Sequence, residues 1–87
     1  MSGLPDLPDY TTNQVDRTEL VCGDEAVTVS TVWYLDHDRV SHETAVFGGP
    51  ADEWSVRTWS RDVAQLAHDT AVRALRRGDL HMFGIDR

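Results

Sequence analysis

From Ala26 to Leu35 the chain alternates, with Val27, Val29, Thr31, Trp33 and Leu35 falling on one side of an extended segment. After "DHDR" the alternation resumes from Val40 to Phe47, and "GGP" at 48–50 stops it. Two β-branched runs around a short polar break predict a hairpin. A turn at His37-Asp38 sets Leu35 opposite Val40, Trp33 opposite His42, Thr31 opposite Thr44 and Val29 opposite Val46. That face is mostly apolar and is the one a helix should cover. The other carries Val32, Tyr34, Ala45 and Phe47 beside Ser30, Ser41 and Glu43. Upstream, "VDRTELVC" (15–22) predicts a first strand and "GDE" (23–25) the turn after it; "SVRTW" (55–59) predicts a short further strand.

The periodicity then changes. "SRDVAQLAHDTAVRALRRGD" predicts a helix, with Ser60 as N-cap, Asp62 in the first turn, Arg73, Arg76 and Arg77 in the last turns, and Gly78 as the stop. At 100° per residue, Val63, Ala64, Leu66, Ala67, Thr70, Ala71, Ala74 and Leu75 share one half, the expected buried side. Arg61, Asp62, Gln65, His68, Asp69, Arg73 and Arg76 share the other, with Val72 its only apolar residue. Strands followed by a helix predict an α+β domain: an antiparallel β-meander of three to four strands with one amphipathic C-terminal helix packed on one face.

The ends differ from this middle. Residues 1–14 hold two of the three prolines and predict a flexible N-terminal arm, leaving 15–78 as a single domain. The tail, 79–87, carries Leu80, Met82, Phe83 and Ile85, and such apolar residues predict an added strand, a cover for the open sheet face, or an interface.

Composition narrows the function classes. No run of about 20 apolar residues exists to span a membrane, and the N-terminus has neither the basic nor the apolar region of a signal peptide. One cysteine, Cys22, forms no internal disulfide, so a reducing cytoplasm is expected. Lys is absent and Ile85 is the only isoleucine, as in proteins from GC-rich genomes. The net charge of −7 is uneven: residues 1–54 hold eleven acids against Arg17 and Arg39, while 55–87 hold six arginines against four acids. An acidic front argues against direct nucleic-acid binding and leaves mimicry of nucleic acid open.

Asp36, His37, Asp38, His42 and Glu43 form the densest group of potential ligands and proton carriers. Neighbours on a strand point to opposite faces, which separates His42 from Glu43, and His37 at the turn lies roughly 13–16 Å from His42. Metal ligands converge within about 2.0–2.6 Å of one centre, so within one chain this group is not a metal site; sharing between subunits is the one exception. Asp36 and Asp38 suit turn positions, and His42 suits a half-buried place near Trp33. No nucleophile elbow, paired-cysteine zinc pattern or phosphate loop is present, so no catalytic, metal or cofactor-binding residue is assigned. An uncovered sheet face with Val32, Tyr34 and Phe47, together with Leu80, Met82, Phe83 and Ile85, is the candidate interface.

"VSTVW", "LDH", "HETAVFGG" with Pro50 and Asp52, and "WSRDVAQLAH" together resemble a family of small proteins encoded by actinobacteriophages and their prophages, over roughly residues 28–68. The stretch between "LDH" and "HET" is shorter here than the Gly- and Pro-containing loop of related proteins, and "LHMFGIDR" has no counterpart. The resemblance brings no catalytic residues. It implies a setting, the cytoplasm of an actinobacterial host. The leading expectation is a non-enzymatic protein acting by protein–protein contact, as a dimer or on a host protein, with an effect on host growth. A second is an acidic mimic that blocks a DNA-binding protein, with Asp24, Glu25, Asp36, Asp38 and Glu43 on one surface. A third is a small enzyme using His37 or His42.

Overall fold

The computed structural model describes residues 13–85. Four strands, β1 (Gln14–Cys22), β2 (Glu25–Asp36), β3 (Arg39–Phe47) and β4 (Ser55–Thr58), precede helix α1 (Arg61–Arg77) and a 3₁₀ turn at His81–Phe83. The sheet is antiparallel in the order β1-β2-β3-β4, a meander with α1 across one face. The expected α+β architecture is therefore present. Residues 1–12 of the expected arm lie outside the described residues; of its last two, Gln14 belongs to β1 and the Asn13 carbonyl accepts from the Trp33 amide at 3.0 Å.

Turn chemistry sets the pairing. His37 and Asp38 both take positive φ, 50° and 68°, the backbone of a two-residue hairpin loop whose twist matches the strands. The register follows: Leu35 faces Val40, Trp33 faces His42, Thr31 faces Thr44 and Val29 faces Val46, as the alternation predicts. Beyond β3, Gly48 has φ +87°, and a Cβ there would strike the Ala26 carbonyl oxygen. Glycine lets the loop pass this close, and the Asp52 carboxylate accepts from the Gly48 amide at 2.6 Å.

The helix is punctuated as expected. Ser60 accepts from the Val63 amide at 3.1 Å, and Gly78 at φ 72° closes the C-terminus. Its buried face is not the expected one. Ala64, His68, Ala71, Val72 and Leu75 face the sheet, while Val63 and Leu66 are 51% and 62% exposed. The helix is rotated by about a quarter-turn from the orientation that places most apolar residues inward. The reason lies in the sheet. Its covered face carries the hydroxyls of Thr18, Thr31 and Thr44 among Val27, Val29 and Val46, and buried hydroxyls need partners. His68 supplies a nitrogen at each side of its ring, whereas Leu66 would leave those hydroxyls unsatisfied.

The tail departs from expectation too. Residues 81–83 form a 3₁₀ turn, neither a strand nor a cover for the open face. Phe83 is buried and meets Trp54 edge-on, centroids 5.0 Å apart, while Leu80 and Ile85 pack on the same core as α1. Only Met82 stays largely outside. The tail completes the core beside the helix.

Candidate functional site

Three places bring chemistry-bearing side chains together: the hairpin tip, a polar cluster under α1, and the sheet face opposite the helix. At the tip, the His37 side chain is 96% exposed and its Nε2 lies 3.7 Å from Asp36 Oδ1. Asp36 also receives Arg57 Nη1 at 3.5 Å. His42 is buried on the helix side between Trp33 and Thr58, with Nδ1 unpartnered, whereas Glu43 points to the opposite side across from Arg57. Among the described residues no three His, Cys, Asp or Glu side chains come together as a metal site. Neither His37 nor His42 lines the sheet-face groove or the cleft beside β1 described below.

The polar cluster under α1 escaped the sequence pattern. His68 Nδ1 lies 2.9 Å from Thr31 Oγ1, which lies 2.7 Å from Thr44 Oγ1. His68 Nε2 lies 2.9 Å from Thr18 Oγ1 and 3.5 Å from Asp16 Oδ2. Gln65 donates to the same carboxylate oxygen at 2.7 Å. This donation, more than the His68 ring beside it, holds the Asp16 carboxyl below its ordinary range against the opposing effect of burial. A charged Asp16 favours the proton on Nε2. The chain of bonds then runs one way: Thr44 donates to Thr31, Thr31 donates to Nδ1, and Nε2–H donates toward Thr18 and Asp16. Both ring nitrogens of His68 are thereby paired.

This cluster resembles a nucleophile–histidine–carboxylate triad in composition, with Thr31 and Asp16 at opposite ring nitrogens of His68. The carboxylate contact is long, at 3.5 Å, and the Thr31 hydroxyl has no solvent exposure. His68 is also 1% exposed, so no substrate reaches it. The cluster fixes how the helix docks. Its sequence signal was the spacing of Ala64, His68, Ala71, Val72 and Leu75, an unbroken i, i+4, i+7, i+8, i+11 stripe.

The uncovered sheet face holds a groove of about 410 Å³. Val32 and Ala45 form its apolar floor with Thr28 and Ser30, Phe47 stands at one end, and Arg17 and Glu43 flank it. Strand alternation puts these side chains here, since each lies one position from a residue facing α1. Phe47 is 55% exposed. Alongside, the Arg57 guanidinium lies 5.6 Å from the Tyr34 ring centre and 5.9 Å from that of Trp59, an exposed stack of a cation with two aromatic rings. Burial raises the Tyr34 hydroxyl's pKa, with Arg57 acting in the other direction.

Of the expected interface residues, Val32, Tyr34 and Phe47 share this face, while Leu80, Phe83 and Ile85 pack into the core on the other side. Arg57 and Trp59 were missed because nothing in the sequence fixed how β4 pairs. The acids required for nucleic-acid mimicry are dispersed: Asp24 and Glu25 sit at one end of β2 and Asp36 and Asp38 at the other, about 36 Å away. Arg17 and Arg57 interrupt the face between them. No helix of the described residues is long and apolar enough to cross a membrane. The chain matches no family model, no curated protein and no solved structure.

Proposed function

We propose that this protein is non-enzymatic and acts by binding another protein through the sheet face opposite α1. The observation that carries the proposal is the groove with Phe47 exposed at its end. Phe47 is 55% exposed beside a floor formed by Val32, itself buried, and Ala45, and covering the ring would remove apolar area from solvent. The rim is mixed in charge, Arg17 against Glu43, and Arg57 offers its guanidinium between two rings. Those features suit an apolar or aromatic protein segment with flanking polar groups. In the setting implied by the sequence resemblance, the partner is a host protein in the actinobacterial cytoplasm, and a change in host growth is the phenotype.

A photo-crosslinking residue tests this at position 47 against position 66, both exposed and on opposite sides of the domain. A discrete heterologous adduct formed from position 47 and absent from position 66 supports the proposal. Identical adducts from both positions, or none from position 47 in producing cells, contradict it.

A further inference from the structure

We infer that β1 is a self-complementary edge, through which two copies of this chain pair antiparallel into one continuous eight-stranded sheet. Among the described residues β1 lies at one end of the sheet order, with β2 as its strand neighbour. The two hairpins show which of its backbone groups β2 leaves unused. Each has a two-residue loop, closed by Cys22 with Glu25 and by Asp36 with Arg39, and such closing pairs exchange both backbone bonds. In β2 the odd residues therefore bond to β1 and the even ones to β3. In β1, Thr18, Leu20 and Cys22 bond inward, so the backbone groups of Arg17, Glu19 and Val21 point away from the sheet. The Arg17 amide agrees with this, because it donates to its neighbour's Asp16 carboxylate at 2.7 Å.

A symmetric pair must match outward residues with outward residues, which leaves few registers. With Arg17 opposite Arg17 of the second copy, two cations meet. With Glu19 opposite Glu19 of the second copy, two carboxylates meet. The register between them, with Thr18 on the two-fold axis, sets Arg17 opposite Glu19 of the second copy and Glu19 opposite Arg17 of the second copy. Within one chain Arg17 Nε already lies 3.1 Å from Glu19 Oε2. The dimer thus forms a square of four alternating charges, each beside two of opposite sign. Val21, 70% exposed, falls toward the irregular stretch at Gln14–Asp16 of the second copy, where the β1 register shifts. On the helix side of the axis, Thr18 lines a cleft of about 340 Å³ with Val72, Asp69, Arg73 and Arg76, so each copy brings one acid and two bases toward the same axis. Pairing replaces the Arg17 bond to Asp16 with one to a carbonyl of the second copy.

The inference stands apart from the proposed binding face. It bears on that face nonetheless, since Arg17 flanks the groove and pairing sets two grooves side by side on one surface.

Sedimentation equilibrium from micromolar to millimolar protein tests the pairing with charge inversions at two half-exposed or more exposed side chains, 50% for Arg17 and 69% for Glu19. Wild type is expected to dimerise, more weakly at high salt. Arg17→Glu and Glu19→Arg, each alone, are expected to weaken the dimer by at least ~10-fold. An equimolar mixture of the two variants, or the double swap in one chain, is expected to restore it. Hydrogen exchange on wild type gives an independent reading: the Arg17, Glu19 and Val21 amides should slow as concentration rises. A wild-type monomer throughout, a dimer untouched by either inversion, or a mixture that stays monomeric would overturn the inference.

Discussion

Replacing Thr31 by Val tests why the helix docks on a polar residue. The exchange preserves shape, so no cavity opens, and it removes one hydroxyl from a position with no solvent exposure. That hydroxyl serves two buried partners, Thr44 Oγ1 at 2.7 Å and His68 Nδ1 at 2.9 Å. Each is left unsatisfied at a cost of about 1–3 kcal/mol. Allowing for the gain from an added methyl group, the net loss is about 2–4 kcal/mol. A chain of 87 residues has a total stability on the order of 4–13 kcal/mol, so the variant should be visibly weakened. Urea unfolding followed by circular dichroism is the assay, and the midpoint should fall by about 1–2 M with an unchanged slope. Thr28→Val, at the groove on the opposite face, is the control and should change stability by less than about 0.5 kcal/mol. A Thr31→Val/His68→Leu cycle should show coupling of about 1–3 kcal/mol. A Thr31→Val midpoint no lower than that of Thr28→Val would refute the reasoning.

Other outcomes follow from single features. Gly48→Ala should cost about 2 kcal/mol or more, since it combines positive φ with a clash against backbone, while Gly23→Ala, at φ +66° with open space around it, should cost about 1 kcal/mol; comparable midpoints for the two would contradict the close approach at Gly48. The Asp16 carboxyl has a lowered pKa in the folded state, so its stabilising contribution is present above its unfolded pKa of about 3.9 and disappears as pH falls through the lower folded value. Wild type should therefore lose more stability than Asp16→Asn over that acid range, and parallel pH profiles in urea titrations would refute this. Burial, with a smaller contribution from Glu25, raises the pKa of the Cys22 thiol, so at pH 8 it should alkylate more slowly than free cysteine; equal rates by mass spectrometry would show it to be more open.

Where local chemistry decides a structure, the sequence was legible. The register of β2 against β3 followed from β-branched alternation and a turn able to take positive φ. Both helix caps were readable, because a serine and a glycine act within a few residues of themselves. Placement of Val32, Tyr34 and Phe47 on the uncovered face followed from the same alternation. The helix orientation was not legible from apolar residues alone. Leu66 and Val63 weigh more on any apolar scale than His68, yet a sheet face bearing three threonines selects a partner that bonds to hydroxyls. The tail misled for a related reason. Phe83 and Ile85 are apolar enough for an interface, and only the position of Trp54 on the β3–β4 loop shows that a place in the core awaits them.

The central claim is that the groove face binds a protein partner. Its most direct test is calorimetric titration of the protein crosslinked through position 47 against wild type, Ala45→Arg and Leu66→Arg. Arginine at position 45 fills the groove floor, and arginine at position 66 adds the same charge to the exposed outer side of α1. The account predicts affinity reduced by at least ~10-fold for Ala45→Arg and unchanged for Leu66→Arg. Equal affinity for all three proteins would contradict it.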